Sequence, residues 1–160
     1  MIMPIEISCL GSVYRQSVAS QVQKSIDSLF SGSRLPDEVV IVVDGPISSD
    51  LQTVLNAFIG RVVLHRLSVN RGLGLALREG LEVCKHDIIC RFDTDDINCM
   101  DRLSVVAEIF ASASAPDVFT SSLFEFQDST CSRVIGRIKS VPVSHLALVS
   151  GLRFRNVVNH

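Results

Sequence analysis

Five consecutive β-branched aliphatic residues, Val39-Val40-Ile41-Val42-Val43, constrain this chain more than any other feature. A strand with no polar position has no face fit for water, so it must be covered on both sides. Strands of that kind belong to parallel sheets packed between helices. The run stops at Asp44-Gly45-Pro46, residue types that favour a turn. Further apolar segments lie at 5–10, 61–67, 86–92 and 118–126, with helix-like stretches between them. Residues 17–30 place Val18, Val22, Ile26, Leu29 and Phe30 at helical spacing. Residues 48–58 open on Ser48 or Ser49, either of which suits an N-cap. Residues 72–84 set Leu73, Leu77, Leu81 and Cys84 on one helical face, and 101–111 supply a fourth helix. The order β-α-β-α-β-α-β-α-β predicts an α/β fold with a mostly parallel sheet and helices on both faces.

At 160 residues the chain suits one domain. Ser112, Ser114 and Pro116 read as a loop inside it. Beyond residue 126 the pattern weakens, although 141–149 fits a short helix started near Ser144. The chain ends at His160 with no closing element, which reads as a single domain, 1–160, incomplete at its C-terminus.

Composition narrows the partners. Lys plus Arg is 15 and Asp plus Glu is 17, a formal charge of −2, which argues against nucleic acid. The mean hydropathy of +0.36 is high, yet no apolar run reaches the roughly 20 residues that span a bilayer. Such apolar content predicts a deeply buried sheet or a surface for self-association. Cys9, Cys84, Cys90, Cys99 and Cys131 are odd in number and form no CxxC pair. Free thiols in a reducing compartment follow, rather than disulfides or zinc. Residues 1–10 lack the basic start of a signal peptide, so a cytoplasmic location is expected.

Ligands of open parallel sheets bind at the carboxyl ends of the strands. Here those ends carry Asp44, then Asn70-Arg71-Gly72-Leu73-Gly74, then Asp93-Thr94-Asp95-Asp96. Residues two apart on an extended chain point the same way, so Asp93 and Asp95 can converge. Crowded carboxylates repel one another, and a divalent cation relieves the repulsion. Mg²⁺ or Mn²⁺ suits such a site because each takes oxygen ligands, commonly one or two carboxylates plus phosphates. The same segment also reads as a solvated acidic turn, with Asp96 or Asn98 capping the next helix. The apolar strand before it and the glycine-rich segment upstream favour the cation. Gly72-Leu73-Gly74 does not complete a dinucleotide fingerprint, because the third glycine is missing and the segment follows the third strand. His65, His86 and His145 read as structural.

The ordered set Asp44-Gly45, Asn70-Arg71-Gly72 and Asp93-Thr94-Asp95-Asp96 with Arg102 beyond resembles the family 2 glycosyltransferases, inverting enzymes of the GT-A fold. The bacterial polysaccharide-biosynthesis type is the nearest in flavour. Val13-Tyr14-Arg15, Ser25-Ile26-Asp27-Ser28-Leu29 and Arg155-Asn156-Val157-Val158-Asn159-His160 extend the likeness over nearly the whole chain. The resemblance implies a nucleoside-diphosphate sugar, such as a UDP-sugar, as donor and a saccharide or lipid-linked acceptor. It places Tyr14 and Asp44 at the base or ribose, and Asp93 at the ribose and diphosphate. Asp95, helped by Asp96 and Asp93, would hold Mn²⁺ or Mg²⁺, and Arg71 or Arg78 would add a positive contact. It also implies work at the inner face of the membrane.

The chain departs from the pattern in places. One acidic residue, Asp44, stands where two are common, Arg15 replaces a usual asparagine, and Arg78 replaces another. Asp117, Glu125 and Asp128 match no base motif, so no general base is assigned. Two other readings remain: a truncated domain that binds donor without transfer, and a sugar-phosphate nucleotidylyltransferase. The latter needs a glycine-rich basic loop after the first strand, of which Cys9-Leu10-Gly11-Ser12-Val13-Tyr14-Arg15 is a poor version.

Overall fold

The computed structural model describes residues 5–126, 134–142 and 144–153. They fall into two compact units that divide between Pro116 and Asp117. The stretch of Ser112, Ser114 and Pro116, expected as an internal loop, is therefore where the chain divides.

The first unit alternates strand and helix: β1 (Ile7–Tyr14), α1 (Ala19–Phe30), β2 (Glu38–Asp44), α2 (Ser49–Ala57), β3 (Val63–Leu67), α3 (Leu73–Leu81), β4 (Ile88–Arg91) and α4 (Arg102–Phe110). Its strands are all parallel, in the order β3-β2-β1-β4. The apolar run is the core of β2, flanked by β1 and β3 and buried at every position. Its alternation splits the core in two. Val39, Ile41 and Val43 face Val22, Ile26 and Leu29 of α1, Leu51 and Leu55 of α2, and Leu103 and Val106 of α4. Val40 and Val42, with Leu10, face Ala76 of α3. Each of these aliphatic side chains gains about 1.5–3 kcal/mol by leaving water, which is why β2 sits in the middle. The two clusters put helices on both faces of the sheet, as the pattern predicts.

Ser48 caps α2, its hydroxyl accepting the Leu51 amide at 3.3 Å. The face expected of α3 is only partly buried: Leu77, and Cys84 just beyond the helix, pack against the second cluster. Leu73 and Leu81 are 52% and 49% exposed, and the helix meets the sheet through Ala76 and Gly80. A Cβ on Gly80 would stand 2.5 Å from Leu10 Cδ1 and 2.7 Å from Val42 Cγ2. Small residues let the helix axis approach the sheet closely, and Leu73 and Leu81 are left outside. Apolar periodicity marks leucines as core and misses an interface built from Ala and Gly.

At the amino edge of the sheet Glu38 is buried. Its Oε2 accepts the Ser8 hydroxyl at 2.7 Å and the Lys85 amide at 2.8 Å, and Lys85 Nζ lies 3.5 Å from Oε1. Burial pushes this carboxyl up, but the Lys85 amide, the Ser8 hydroxyl and the Lys85 charge outweigh it and hold it below its ordinary value. Glu38 thereby ties the entry to β4 onto β1 and β2.

The second unit holds β5 (Leu123–Phe126), β6 (Val134–Lys139) and α5 (His145–Leu152). β5 pairs antiparallel with β6 in a separate two-stranded sheet. The apolar segment at 118–126 is thus no fifth parallel strand. It is shorter than expected and takes its hydrogen bonds from the strand after it. Ser144 caps α5 as expected, accepting the Ala147 amide at 3.3 Å. No helix among the described residues is long and apolar enough to cross a membrane. Asp128, Cys131 and the 155–160 stretch lie outside the described residues.

Candidate functional site

Because all four strands of the first unit run the same way, their carboxyl ends share one edge. Tyr14 and Asp44, the last residues of β1 and β2, are register partners there, and Asp44 is also paired with Leu67 of β3. Tyr14 is 43% exposed and closes a tight turn: its amide donates to Ser17 Oγ at 3.0 Å, and its carbonyl accepts the Ser17 amide at 3.0 Å. The Tyr14 hydroxyl donates to Gln16 Oε1 at 3.2 Å.

Asp44 is 3% exposed, and both carboxylate oxygens are engaged. Oδ1 accepts the Arg71 amide at 2.7 Å and Oδ2 the Gly72 amide at 2.9 Å. Its carbonyl accepts Asn70 Nδ2 at 3.2 Å. The segment 70–72, which leads into α3, is thereby fastened to the end of β2. The Arg71 guanidinium turns to Glu79 at 2.6 Å, an exposed pair of small energetic weight. Arg78 is exposed in the last turn of α3, five residues beyond Leu73 and so roughly 7 Å along the helix from its start.

The acidic segment leaves the sheet beside β1. Phe92 is buried, and its amide donates to the Leu10 carbonyl at 3.0 Å. Thr94 is buried too, its hydroxyl donating to the Ser12 carbonyl at 3.0 Å. With 92 and 94 pinned inward, Asp93 and Asp95 take the alternate positions, half-buried and exposed respectively. Arg91 Nη2 donates to Asp93 Oδ1 at 2.7 Å. The Asp93 carbonyl accepts the Ser25 hydroxyl at 3.1 Å and the Asp96 amide at 3.2 Å, closing a turn that leaves Asp96 exposed. Arg102 reaches back to the Arg91 carbonyl at 2.6 Å and also donates to Asn98 Oδ1. The Asn98 amide and Nδ2 donate to Ser28 Oγ at 2.9 and 3.0 Å.

Arg102 therefore braces the acidic segment. Asn98 is bound to α1 and Arg102, and no side chain caps α4 at Asp101. Asp96 and Asn98 thus do not serve as the N-cap that a plain acidic turn would provide. Ser25 and Ser28 entered the sequence reading only as part of the first-helix likeness, with no anchoring role, and Arg91 did not enter it. Nothing in their type separates a serine that anchors a loop from any other serine on a helix. Beneath the segment Cys9 and Cys90 are register partners on β1 and β4. The Cys9 thiol is held well above its ordinary range by its hydrogen bond with Cys90 and by burial. Cys9, Cys84, Cys90 and Cys99 are free thiols.

Among the described residues no three His, Cys, Asp or Glu side chains gather as a ready-made metal cage. Asp93, Asp95 and Asp96 so arranged suit a different kind of site. Asp93 leans on Arg91, and Asp95 presents a carboxylate to solvent beside it. A hard divalent cation that takes one or two carboxylates and fills its shell with phosphate oxygens and water fits this donor set.

Residues 12–137 match the model of glycosyl transferase family 2. The chain belongs to that family. Curated relatives agree. The amylovoran biosynthesis glycosyltransferase AmsE of Erwinia amylovora is 32% identical over 157 residues, covering 96% of this chain and 57% of that protein. The UDP-Gal:alpha-D-GlcNAc-diphosphoundecaprenol beta-1,3-galactosyltransferase of Escherichia coli is 29% identical, covering 97% of this chain and 56% of that protein. The chain thus spans little more than half the length of these relatives.

Solved structures of low identity share the fold. The mannosyltransferase PcManGT of Pyrobaculum calidifontis, solved with GDP-Man and Mn²⁺, superposes with a TM-score of 0.60 at 16% identity, over 76% of this chain and 36% of its own. Residues 1–349 of S. aureus TarS, solved with UDP-GlcNAc, give 0.56 at 17% identity over 66% of this chain and 31% of that one. The architecture is the GT-A type that the sequence resemblance implied. The nucleotidylyltransferase alternative fails on local structure as well. Residues 9–14 lie inside β1 and form no phosphate loop.

Proposed function

We propose that this edge binds a nucleoside-diphosphate sugar, and that the whole protein transfers the sugar to a saccharide or lipid-linked acceptor with inversion. The observation that carries the reading is the inward pinning of Phe92 and Thr94, which leaves Asp93 and Asp95 at the carboxyl edge of the same parallel sheet whose strands β1 and β2 end in Tyr14 and Asp44. The exposed Tyr14 ring offers a flat face to a base. Asp95 would hold Mn²⁺ or Mg²⁺, with Asp93 and Asp96 alongside. Such an ion supplies positive charge where negative charge grows on a departing diphosphate. Arg91 steadies the Asp93 carboxylate for its part, and Arg71 or Arg78 can offer a further cation to the donor. No residue is assigned as general base.

The relatives support the donor class: UDP-Gal is named for the Escherichia coli enzyme, and two structural neighbours were solved with UDP-GlcNAc and GDP-Man. A uridine donor is the narrower proposal. A diphosphoundecaprenol acceptor, named for the Escherichia coli relative, would place the work at the inner face of the membrane in a polysaccharide pathway. Because the chain covers 57% of AmsE, donor binding is proposed for these 160 residues and transfer for the whole protein.

Calorimetry with uridine diphosphate tests the reading. Binding should appear with Mn²⁺ present and fall at least about tenfold with chelator, as expected where one charge-assisted contact of the bound phosphate is lost. Equal binding with and without the metal would overturn the metal-bridged reading.

A further inference from the structure

The geometry points to Asp44 as a positioning residue, one that acts on the donor by holding the 70–72 segment rather than by touching base or ribose. The inference rests on the donor-site reading and departs from the role that resemblance gives this aspartate. Each Asp44 carboxylate oxygen already accepts a backbone amide, from Arg71 at 2.7 Å and from Gly72 at 2.9 Å. With 3% of the residue exposed, little surface is left for a ligand. Asn70 adds a third strap by donating Nδ2 to the Asp44 carbonyl. Gly45 lies so close behind that a Cβ there would stand 2.5 Å from the Asn70 amide nitrogen. Three successive residues are thus tied to the end of one strand. They carry Arg71 and set where α3 begins, so any contact this segment makes with a donor depends on Asp44. The oxygens keep further lone pairs, but almost none of the residue's surface is open to a base.

Asp44→Asn tests this. The amide keeps the size but replaces one acceptor oxygen with a donor that faces a backbone N–H. Hydrogen exchange on the full chain, without nucleotide, should then speed at Arg71 and Gly72 by about tenfold or more, while amides within β2 and α1 change little. Asn70→Ala, which removes only the third strap, should give a smaller increase at the same sites and guards against a misfolded Asp44 variant. Calorimetry with Mn²⁺ should show uridine and cytidine diphosphate weakened by a similar factor, with the ratio between them unchanged. An altered ratio with unchanged exchange at 71 and 72 would mean that Asp44 reads the base, and would overturn the inference. Faster exchange with unchanged nucleotide affinity would reduce Asp44 to a structural role and overturn it equally. If the wild-type chain binds neither nucleotide, the donor-site reading itself fails. The exchange rates still report separately whether Asp44 holds the segment.

Discussion

Gly45→Ala is the sharpest probe of how the binding edge is built. Gly45 follows β2 with φ +81°, and a Cβ there would meet the Asn70 nitrogen at 2.5 Å, the Val69 carbonyl carbon at 3.0 Å and Asn70 Cα at 3.1 Å. Two costs therefore add. The left-handed backbone costs a residue with a Cβ about 1–2 kcal/mol. The clash is with backbone, so the 69–70 segment must retreat by about 1 Å to restore ordinary contact. That retreat stretches the bonds from Arg71 and Gly72 to Asp44, and losing one charge-assisted bond costs about 1.5–3 kcal/mol. The expected destabilisation is about 2.5–5 kcal/mol. Gly60→Ala supplies the control: φ is +87°, but nothing lies within 4 Å of its Cβ position, so only the backbone cost of about 1–2 kcal/mol applies. Urea unfolding of both variants gives the difference, expected near 2 kcal/mol. Values that agree within about 0.5 kcal/mol would refute the close packing of the 69–72 segment against β2.

Glu38→Gln should cost about 1–3 kcal/mol at neutral pH, because a buried charge-assisted acceptor becomes neutral. The native carboxyl titrates below its ordinary value of 4.5, so its contribution is present above that pH and is lost as pH falls through the native pKa. Unfolding curves should show the wild type losing its advantage over Glu38→Gln below about pH 4.5, and parallel curves down to pH 2 would contradict this. Ile26→Ala empties a fully buried site under the sheet and should lower stability by about 2–5 kcal/mol in the same assay. Alkylation followed by peptide mass mapping should modify exposed Cys99 in native protein, with Cys9 and Cys90 protected until denaturant is added. Rapid native labelling of Cys9 would contradict the assigned β1–β4 packing.

The sheet was legible because residues 39–43, the centre of β2, include no polar residue and the run stops at Asp44-Gly45-Pro46. The acidic segment was legible for a related reason. Residues two apart on an extended chain share a side, and the burial of Phe92 and Thr94 opposite Asp93 and Asp95 follows that period. What escaped was decided by partners distant in the chain. Ser25 reads as a polar position on a helix until Asp93, 68 residues away, is placed against it. Asp44 was legible as a carboxylate at a strand end, but its amide partners were not, since they lie 27 and 28 residues downstream. Leu73 and Leu81 misled because leucine spacing cannot reveal that the helix meets Leu10 and Val42 through Gly80. The segment at 118–126 misled because apolar content marks a strand but not the sheet it joins.

The central claim is that Asp95 and its neighbours grip a cation on the diphosphate of a sugar donor. Electron paramagnetic resonance of Mn²⁺ reads it directly, since the ion's free signal falls when the ion is bound. With uridine diphosphate and protein together the signal should fall well beyond its level with nucleotide alone, and Asp95→Ala should need at least about tenfold more protein for the same fall. An identical titration for wild type and Asp95→Ala would contradict the account.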